Sequence, residues 1–192
     1  MARPSTFLKI PKERVGVLIG PEGKTKKNIE KELSVELQID SEAGDVTVML
    51  TEGSEDPSVL FKAKDVVTAI GRGFSPEHAF RLIRDEEVFL DVIDLRTVFG
   101  RSESDIKRVK GRIIGMDGKT RRIIEELTDT NIAVYGHTVS IIGNIEQVDA
   151  AREAIQMLVK GSQHSTVYRF LHRKRRELKK KMLELWEKPA EE

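Results

Sequence analysis

The chain contains one twelve-residue segment twice, and this internal repeat constrains its fold more than any other feature. Residues 19–30 read IGPEGKTKKNIE and residues 114–125 read IGMDGKTRRIIE, so ten of twelve positions are identical or conservatively exchanged. The likeness continues downstream, where residues 46–49 match residues 139–142. A long repeat at a nearly constant offset indicates a duplicated structural unit. The 192 residues are enough for two small domains of this kind.

Each copy shows the same succession of hydrophobic periods. In the first copy, alternation predicts strands at 7–10, 35–39 and 46–50, and a helical period predicts helices at 12–19, 24–33 and 60–70. The second copy repeats this β-α-α-β-β-α order. We therefore predict an α+β fold with domains at 1–84 and 85–192, each a three-stranded antiparallel sheet with helices on one face. A basic helix over 168–186 is expected to follow, with Phe170, Leu171, Leu178, Met182, Leu185 and Trp186 available for packing.

A Gly-x-x-Gly loop stands between two predicted helices in each copy. Gly20 and Gly23 form the first pair, Gly115 and Gly118 the second, and each pair is followed by Lys-Thr and two basic residues. Glycines allow a tight turn and let a ligand lie directly on the main chain. The free N–H groups and positive dipole end of the next helix favour a phosphate there. A plain helix-helix turn is the structural alternative, but its occurrence twice in one frame favours a binding role.

The Gly-Lys-Thr segments resemble the end of a nucleotide-binding P-loop, but the spacing of the glycines excludes that motif. That motif needs a glycine five positions before the second glycine of the loop, where this chain has Leu18 and Ile113. A P-loop also follows a buried strand, whereas these loops follow predicted helices. We therefore expect no nucleotide hydrolysis.

The two loops resemble the core signature of KH domains, whose loop clamps about four nucleotides of single-stranded RNA. The strand-first order is similar to the type I KH topology. Two such units in a short chain, with a Gly-Arg-Ile-Ile-Gly segment and a basic C-terminal helix, resemble the partner-of-Nob family of small-ribosomal-subunit assembly factors. Eukaryotic members often have a degenerate first loop, but Gly20, Gly23 and Lys24 are intact here. This departure argues against a first unit that serves only as a protein-docking platform, and the lack of long extensions favours an archaeal-type member.

The resemblance implies single-stranded RNA binding near the 3′ end of small-subunit ribosomal RNA, with the second unit's residues 115–119 central. It also implies a partner, either the endonuclease that trims this rRNA end or a translation-initiation factor. A KH-based protein-interaction scaffold with incidental RNA binding stays open as the alternative. The residues that we expect to bind RNA are Ile19, Gly20, Pro21, Glu22, Gly23, Lys24, Lys26, Lys27, Arg112, Ile114, Gly115, Met116, Asp117, Gly118, Lys119, Arg121 and Arg122.

Apolar side chains beside each loop are candidates for the floor of a base-binding groove, although core residues have the same chemistry. These candidates are Val15, Ile19, Ile29, Leu37, Ile114, Ile124 and Ile132. Aromatic residues make up only 5% of the chain, so stacking of bases on rings is a poor fit. We expect selectivity from groove shape and from hydrogen bonds to base edges.

Charge is segregated along the chain although the net charge is only +1. Residues 1–34 carry eight basic and four acidic side chains, and residues 101–127 carry eight and five. Residues 35–100 carry six basic and fourteen acidic side chains, whereas residues 164–192 carry nine and five. Positive charge is therefore concentrated around the two glycine loops and in the C-terminal segment, as a polyanion ligand requires.

Composition excludes several other functions. The chain has no cysteine, and its four histidines show no metal-ligand spacing, so we expect no disulfide, metal or cofactor and a cytoplasmic setting. No nucleophile-base arrangement or motif-placed carboxylate pair is visible, so we predict no catalytic residues and no enzyme activity. Residues 1–9 lack the apolar run of a secretory signal, and no stretch is long enough to cross a membrane. Few amide side chains beside many Lys, Arg and Glu are typical of thermophiles.

Overall fold

The computed structural model of this protein describes residues 4–52 and 56–187. The chain divides into two compact units, here called unit 1 (Met1–Ile93 with Ala133–Ile142) and unit 2 (Asp94–Ile132 with Gly143–Glu192). Unit 1 therefore includes most of all three strands of the second repeat, Phe89–Asp94, Asn131–Tyr135 and Thr138–Gly143. The predicted domain boundary between residues 84 and 85 stays a prediction.

The first repeat has the predicted order of elements. These are β1 (Ser5–Lys9), α1 (Lys12–Ile19), a 3-10 turn (Pro21–Gly23), α2 (Lys24–Leu33), β2 (Val35–Ile39), β3 (Asp45–Leu50) and α3 (Ser58–Gly71). Helices α1 and α2 lie at the bounds that the helical period of the sequence predicts. Two short helices follow, α4 (Pro76–Ala79) and α5 (Arg81–Arg84). Ser75 begins the first of them, since its side chain accepts a hydrogen bond from the His78 N–H.

The first sheet has the order β1-β3-β2 with both pairs antiparallel. Alternation sends Val35, Leu37, Val46 and Val48 into the core, and the helices contribute Ile29 among others. Full burial of one such side chain stabilises the fold by about 1.5–3 kcal/mol. The amphipathic helices therefore cover one face of this sheet, and they position the glycine turn between α1 and α2.

The second repeat has the same order with additions. Its elements are β4 (Phe89–Asp94), α6 (Arg96–Phe99), α7 (Glu103–Ile114), a 3-10 turn (Met116–Gly118), α8 (Lys119–Thr128), β5 (Asn131–Tyr135), β6 (Thr138–Gly143), α9 (Ile145–Val159) and α10 (His164–Glu187). The second sheet has the order β4-β6-β5. The predicted α+β fold of two β-α-α-β-β-α repeats, followed by a C-terminal helix, is confirmed.

Local side-chain bonds determine where the helices of unit 2 begin. Ser102 accepts a hydrogen bond from the Asp105 N–H at the start of α7. Asn144 and Gln147 form a reciprocal capping box at the start of α9. The short α6 was not predicted; the Asp94 carboxylate accepts a hydrogen bond from the Arg96 N–H at its start, at 2.8 Å.

The C-terminal helix α10 packs on α8 and α9. It buries Val167, Phe170 and Leu171, and it half-buries Leu178. The predicted packing of Met182, Leu185 and Trp186 lies outside the described side chains. Within residues 4–52 and 56–187, no helix is both long and apolar enough to cross a membrane.

Candidate nucleic-acid interface

The two glycine turns have nearly the same backbone conformation. Loop 1 is defined as residues 20–23 and loop 2 as residues 115–118. Their first glycines have φ/ψ of 71°/173° and 72°/177°, and their last glycines have φ/ψ of 76°/14° and 76°/13°. Each third residue, Glu22 or Asp117, is left-handed as well, with φ of 53° and 50°. The repeated sequence therefore specifies a repeated backbone shape.

The first glycine of each loop is required by a close approach of the following helix. A Cβ on Gly20 would lie 2.2 Å from the Thr25 hydroxyl oxygen and 2.9 Å from the Thr25 backbone nitrogen. A Cβ on Gly115 would lie 2.3 Å from the Thr120 hydroxyl oxygen. Both threonines are buried, with exposed fractions of 7% and 3%, so neither can move aside easily. The Thr of each Gly-Lys-Thr segment is thus a packing residue that shapes the loop.

The second glycine of each loop is required for a different reason. A Cβ on Gly118 would meet no atom within 4 Å, and one on Gly23 would only touch the end of Lys27, at 3.8 Å. The left-handed conformation costs other residues about 1–2 kcal/mol. The second glycines therefore face open space and are required for conformation alone.

The middle residues of both loops project into solvent. Pro21, Glu22 and Asp117 are exposed, and Met116 is 81% exposed. A left-handed non-glycine residue in each loop stores a small amount of backbone strain, which is typical of functional turns. The main chain of each loop is therefore open to a ligand.

The helices that follow the loops begin without a side-chain cap. Neither Gly23 before α2 nor Gly118 before α8 has a side chain that could accept the first N–H groups. The N–H groups of Lys24 and Lys119 donate to the carbonyls of Pro21 and Met116, so it is the positive end of the helix dipole that lies beside the open loop. Such a helix start is a favourable position for a phosphate group.

One basic residue after each loop is paired with an acid on the same helix. Lys26 lies 3.7 Å from Glu30, and Arg121 lies 3.6 Å from Glu125. Each glutamate also accepts a hydrogen bond from a strand N–H, that of Leu37 at 2.9 Å in the first repeat. The matching bond in the second repeat runs from the Ile132 N–H to Glu125, at 2.7 Å. These glutamates therefore tie the loop helix to the next strand and partly neutralise the adjacent cation.

The other predicted cations of the loops are exposed. Lys24 lies 3.8 Å from Glu22, and Arg122 donates to the Asp117 carbonyl at 3.0 Å, which braces loop 2. Lys27 and Lys119 have no acidic partner in the described part of the chain. Two exposed cations per loop therefore lie close to the open main chain.

Arg112 serves the packing of unit 2. Its guanidinium donates to the Ser162 carbonyl, and its own carbonyl lies 2.9 Å from a ring nitrogen of His164. These bonds join the end of α7 to the connection between α9 and α10. Arg112 is thus placed one turn before loop 2, but its donors are partly used inside the protein.

The predicted groove floor divides into two groups. Ile19 and Ile114, directly before the first glycines, are partly exposed and lie where a base beside the loop could touch them. The others are buried in the core and can shape a groove only from beneath; they are Val15, Ile29, Leu37, Ile124 and Ile132.

One residue beside loop 2 was missed by sequence reasoning. The Tyr168 hydroxyl of α10 lies 3.0 Å from the Thr120 hydroxyl, which itself contacts the position of a Cβ on Gly115. The matching position in the first repeat is Phe80, which has no hydroxyl. The alignment of Ala79-Phe-Arg with Val167-Tyr-Arg was the available signal. The role of Tyr168 follows only from its contact with Thr120, the threonine behind the loop.

No cluster of three or more potential metal ligands occurs in the described ranges. The exposed cations Lys24, Lys27, Lys119 and Arg122 lie around the open main chain of the two loops. Their arrangement can hold a polyanion by backbone N–H groups and cationic side chains together.

Two family models of KH domains match this chain, one in each repeat. Residues 89–176 match the family described as the eukaryotic type KH domain, type I, in its PNO1 second-domain form, and residues 10–85 match the Krr1 KH1 domain. The KH domain-containing protein MJ0443 of Methanocaldococcus jannaschii is 51% identical over 96% of this chain and 80% of its own length. The RNA-binding protein pno1 of Ixodes scapularis is 33% identical over 71% of this chain, and this chain spans 58% of its length.

A solved structure shares the fold over most of the chain. It is the complex of a/eIF2alpha, aDim2p and rRNA from Pyrococcus horikoshii OT3, with a TM-score of 0.85 and 47% identity. The match covers 91% of this chain and 96% of that one.

Proposed function

Because this chain belongs to the PNO1-like family of KH-domain proteins, we propose that it binds single-stranded RNA at the 3′ end of small-subunit ribosomal RNA during ribosome assembly. The observation that carries the proposal is the pair of open glycine loops. Each has the same left-handed backbone, an uncapped helix start and exposed lysines. Two unrelated turns would have no reason to agree in all three respects.

Binding would start with the sugar-phosphate chain on the loop main chain. The missing Cβ of Gly23 and of Gly118 leaves room for a phosphate at the positive end of the next helix. Lys27 and Lys119 would add charge-assisted contacts. These contacts position the strand without reading its sequence.

Base selection would follow from the edge of each loop. Ile19 and Ile114 offer partly exposed apolar surface beside the first glycines. The loops differ in their second residue, because Pro21 has no N–H whereas Met116 has one and also exposes a long apolar side chain. Loop 2 therefore offers more to a nucleotide than loop 1.

The proposal includes a protein partner from translation. The related chain in the a/eIF2alpha-aDim2p-rRNA complex stands beside an initiation factor and rRNA. We infer that this protein also meets an initiation factor of that kind, and an endonuclease that trims the rRNA end remains a second predicted partner. The protein would act in the cytoplasm as a binding protein without catalytic residues of its own.

Substituting the exposed Met116 with aspartate tests the proposal. A second carboxylate next to Asp117, about 5 Å from a bound phosphate, costs roughly 1–3 kcal/mol at effective dielectric constants of about 80 to 20. The affinity for a twelve-nucleotide RNA with the 3′-terminal sequence of small-subunit rRNA should fall roughly tenfold to hundredfold. Fluorescence anisotropy measures this.

Val98→Asp is the matched control, since Val98 is 59% exposed and comes before α7, a 12-residue helix about 18 Å long whose other end leads into loop 2. Its affinity should stay within twofold of the unmodified protein. Equal affinities for all three proteins would contradict RNA binding by loop 2 and favour the scaffold.

A further inference from the structure

The C-terminal helix α10 has an apolar face and a cationic face. Val167, Phe170 and Leu171 are buried against unit 2. On the opposite side, four exposed basic or titratable residues follow the helical spacing i, i+3, i+7 and i+10. This cationic stripe consists of Arg169, His172, Arg176 and Lys179.

The stripe differs from the flank of α10 that is turned toward α9. On that flank, Lys174 lies 3.8 Å from Glu177, and Lys181 is paired with Glu146. Arg169, Arg176 and Lys179 have no acidic partner among the residues that the structure describes. The positive charges of the flank are therefore used within the protein, whereas those of the stripe remain available to a ligand.

The stripe starts beside loop 2. Tyr168, adjacent to Arg169, places its hydroxyl 3.0 Å from the hydroxyl of Thr120. Thr120 in turn packs so closely on Gly115 that a Cβ there would lie 2.3 Å from its oxygen. Arg112, at the end of α7, also bonds to Ser162 just before α10 and to His164, the first residue of α10. Both helices that flank loop 2 thus fix the beginning of α10.

The first repeat has no such extension. The start of α10 matches α4 and α5, so Arg81 and Arg84 stand where α10 has Arg169 and His172. Helix α5 ends at Arg84 and is followed by Asp85, Glu86 and Glu87. The first repeat therefore has only the first two positions of the stripe, and acidic residues follow where the helix continues in the second repeat.

We propose that the cationic stripe binds the sugar-phosphate backbone of RNA that continues beyond loop 2, which makes the second RNA site longer than the first. The stripe covers the eleven residues from Arg169 to Lys179, a rise of about 15 Å along the helix. Unpaired cations next to an exposed phosphate-binding loop give the charge complementarity that a continuing RNA strand needs. The inference rests on RNA binding by loop 2.

The test replaces Arg169, Arg176 and Lys179 with glutamine in the full chain. With the twelve-nucleotide rRNA 3′-end oligonucleotide, log affinity against log salt should become less steep by about 2, since each lost phosphate contact removes roughly 0.7. Affinity at about 0.1 M salt should fall roughly tenfold to hundredfold. Five-nucleotide fragments tiled across the same sequence are too short to reach the stripe. For the fragment that binds the unmodified protein most tightly, the affinity of the glutamine variant should lie within twofold of that of the unmodified protein.

The control replaces Lys31, Lys62 and Lys64 of unit 1 with glutamine, which removes the same net charge from α2 and α3. It should leave the salt slope unchanged. If the α10 variant keeps the full salt slope, the stripe does not bind RNA. This conclusion holds even if the variant has lost affinity for an acidic protein. An equal loss on the five-nucleotide fragment would also overturn the proposal, because the effect would be one of net charge.

Failure of this proposal is distinguishable from failure of the proposed function. A Met116→Asp protein that binds RNA normally contradicts loop-2 binding itself. If Met116→Asp lowers the RNA affinity but the glutamine substitutions do not, only RNA binding by the stripe is contradicted.

Discussion

Replacing Gly115 with alanine tests whether packing of Thr120 shapes loop 2. The new Cβ would lie 2.3 Å from the Thr120 hydroxyl oxygen and 2.8 Å from both its Cβ and its backbone nitrogen. Thr120 is 97% buried from solvent and hydrogen-bonded to Tyr168, so relief requires movement of the start of α8. The backbone at Gly115, with φ 72° and ψ 177°, is also one that only glycine adopts readily.

The clash with Thr120 and the strained backbone conformation together predict a large loss of stability. The backbone conformation costs alanine about 1–3 kcal/mol, and overpacking against Thr120 costs about 1–3 kcal/mol more. The expected loss is therefore roughly 4 kcal/mol, a substantial part of the 5–15 kcal/mol that stabilises a typical domain. Gly118→Ala meets no atom within 4 Å and should lose only about 1–2 kcal/mol through its left-handed backbone.

Urea unfolding followed by circular dichroism measures the difference. Gly111→Ala is the matched control, because this glycine lies inside helix α7 with nothing within 4 Å of a Cβ. There alanine should stabilise the protein by about 0.5–1 kcal/mol. Hydrogen exchange of peptides from residues 106–120 will assign the change to loop 2. Equal destabilisation by Gly115→Ala and Gly118→Ala would refute the packing argument.

Two further substitutions test the bonds that hold the helix after loop 2. Tyr168→Phe removes the hydroxyl partner of the buried Thr120 and makes this site like Phe80 of the first repeat, so the free energy of unfolding should fall by about 1 kcal/mol in urea titrations; an unchanged value would show that the bond contributes nothing. Glu125→Ala leaves the Ile132 N–H without its acceptor and should cost about 1–3 kcal/mol by the same measurement, whereas Glu126→Ala at the exposed neighbour should change stability by less than about 0.5 kcal/mol.

The order of elements could be predicted because the repeat supplies the same periodicities twice. Strands β2 and β3 alternate cleanly, and α1 and α2 lie at the expected bounds. Short helices such as α6 could not be predicted, because they depend on single bonds like that from the Arg96 N–H to Asp94. A hydrophobic period contains no information about such a bond.

The loops themselves could be predicted from their glycines, but the role of each glycine could not. Sequence spacing treats Gly115 and Gly118 alike, whereas the structure gives the first a packing requirement and the second a conformational one. The sequence also does not reveal which basic side chains are paired with acids, since Arg121 is paired with Glu125 while Lys119 is exposed. Such pairing depends on the side-chain positions around a helix and on the neighbouring strand.

The most direct test of RNA binding by the glycine loops is an amide chemical-shift titration of the full chain with the twelve-nucleotide rRNA 3′-end oligonucleotide. RNA binding by the loops predicts that the largest changes occur at the amide signals of Gly23, Lys24, Gly118 and Lys119, whose N–H groups donate to carbonyls within the two loops. Large changes on the exposed side of the first sheet, around Phe7 and Thr47, with unmoved loop amides would contradict it.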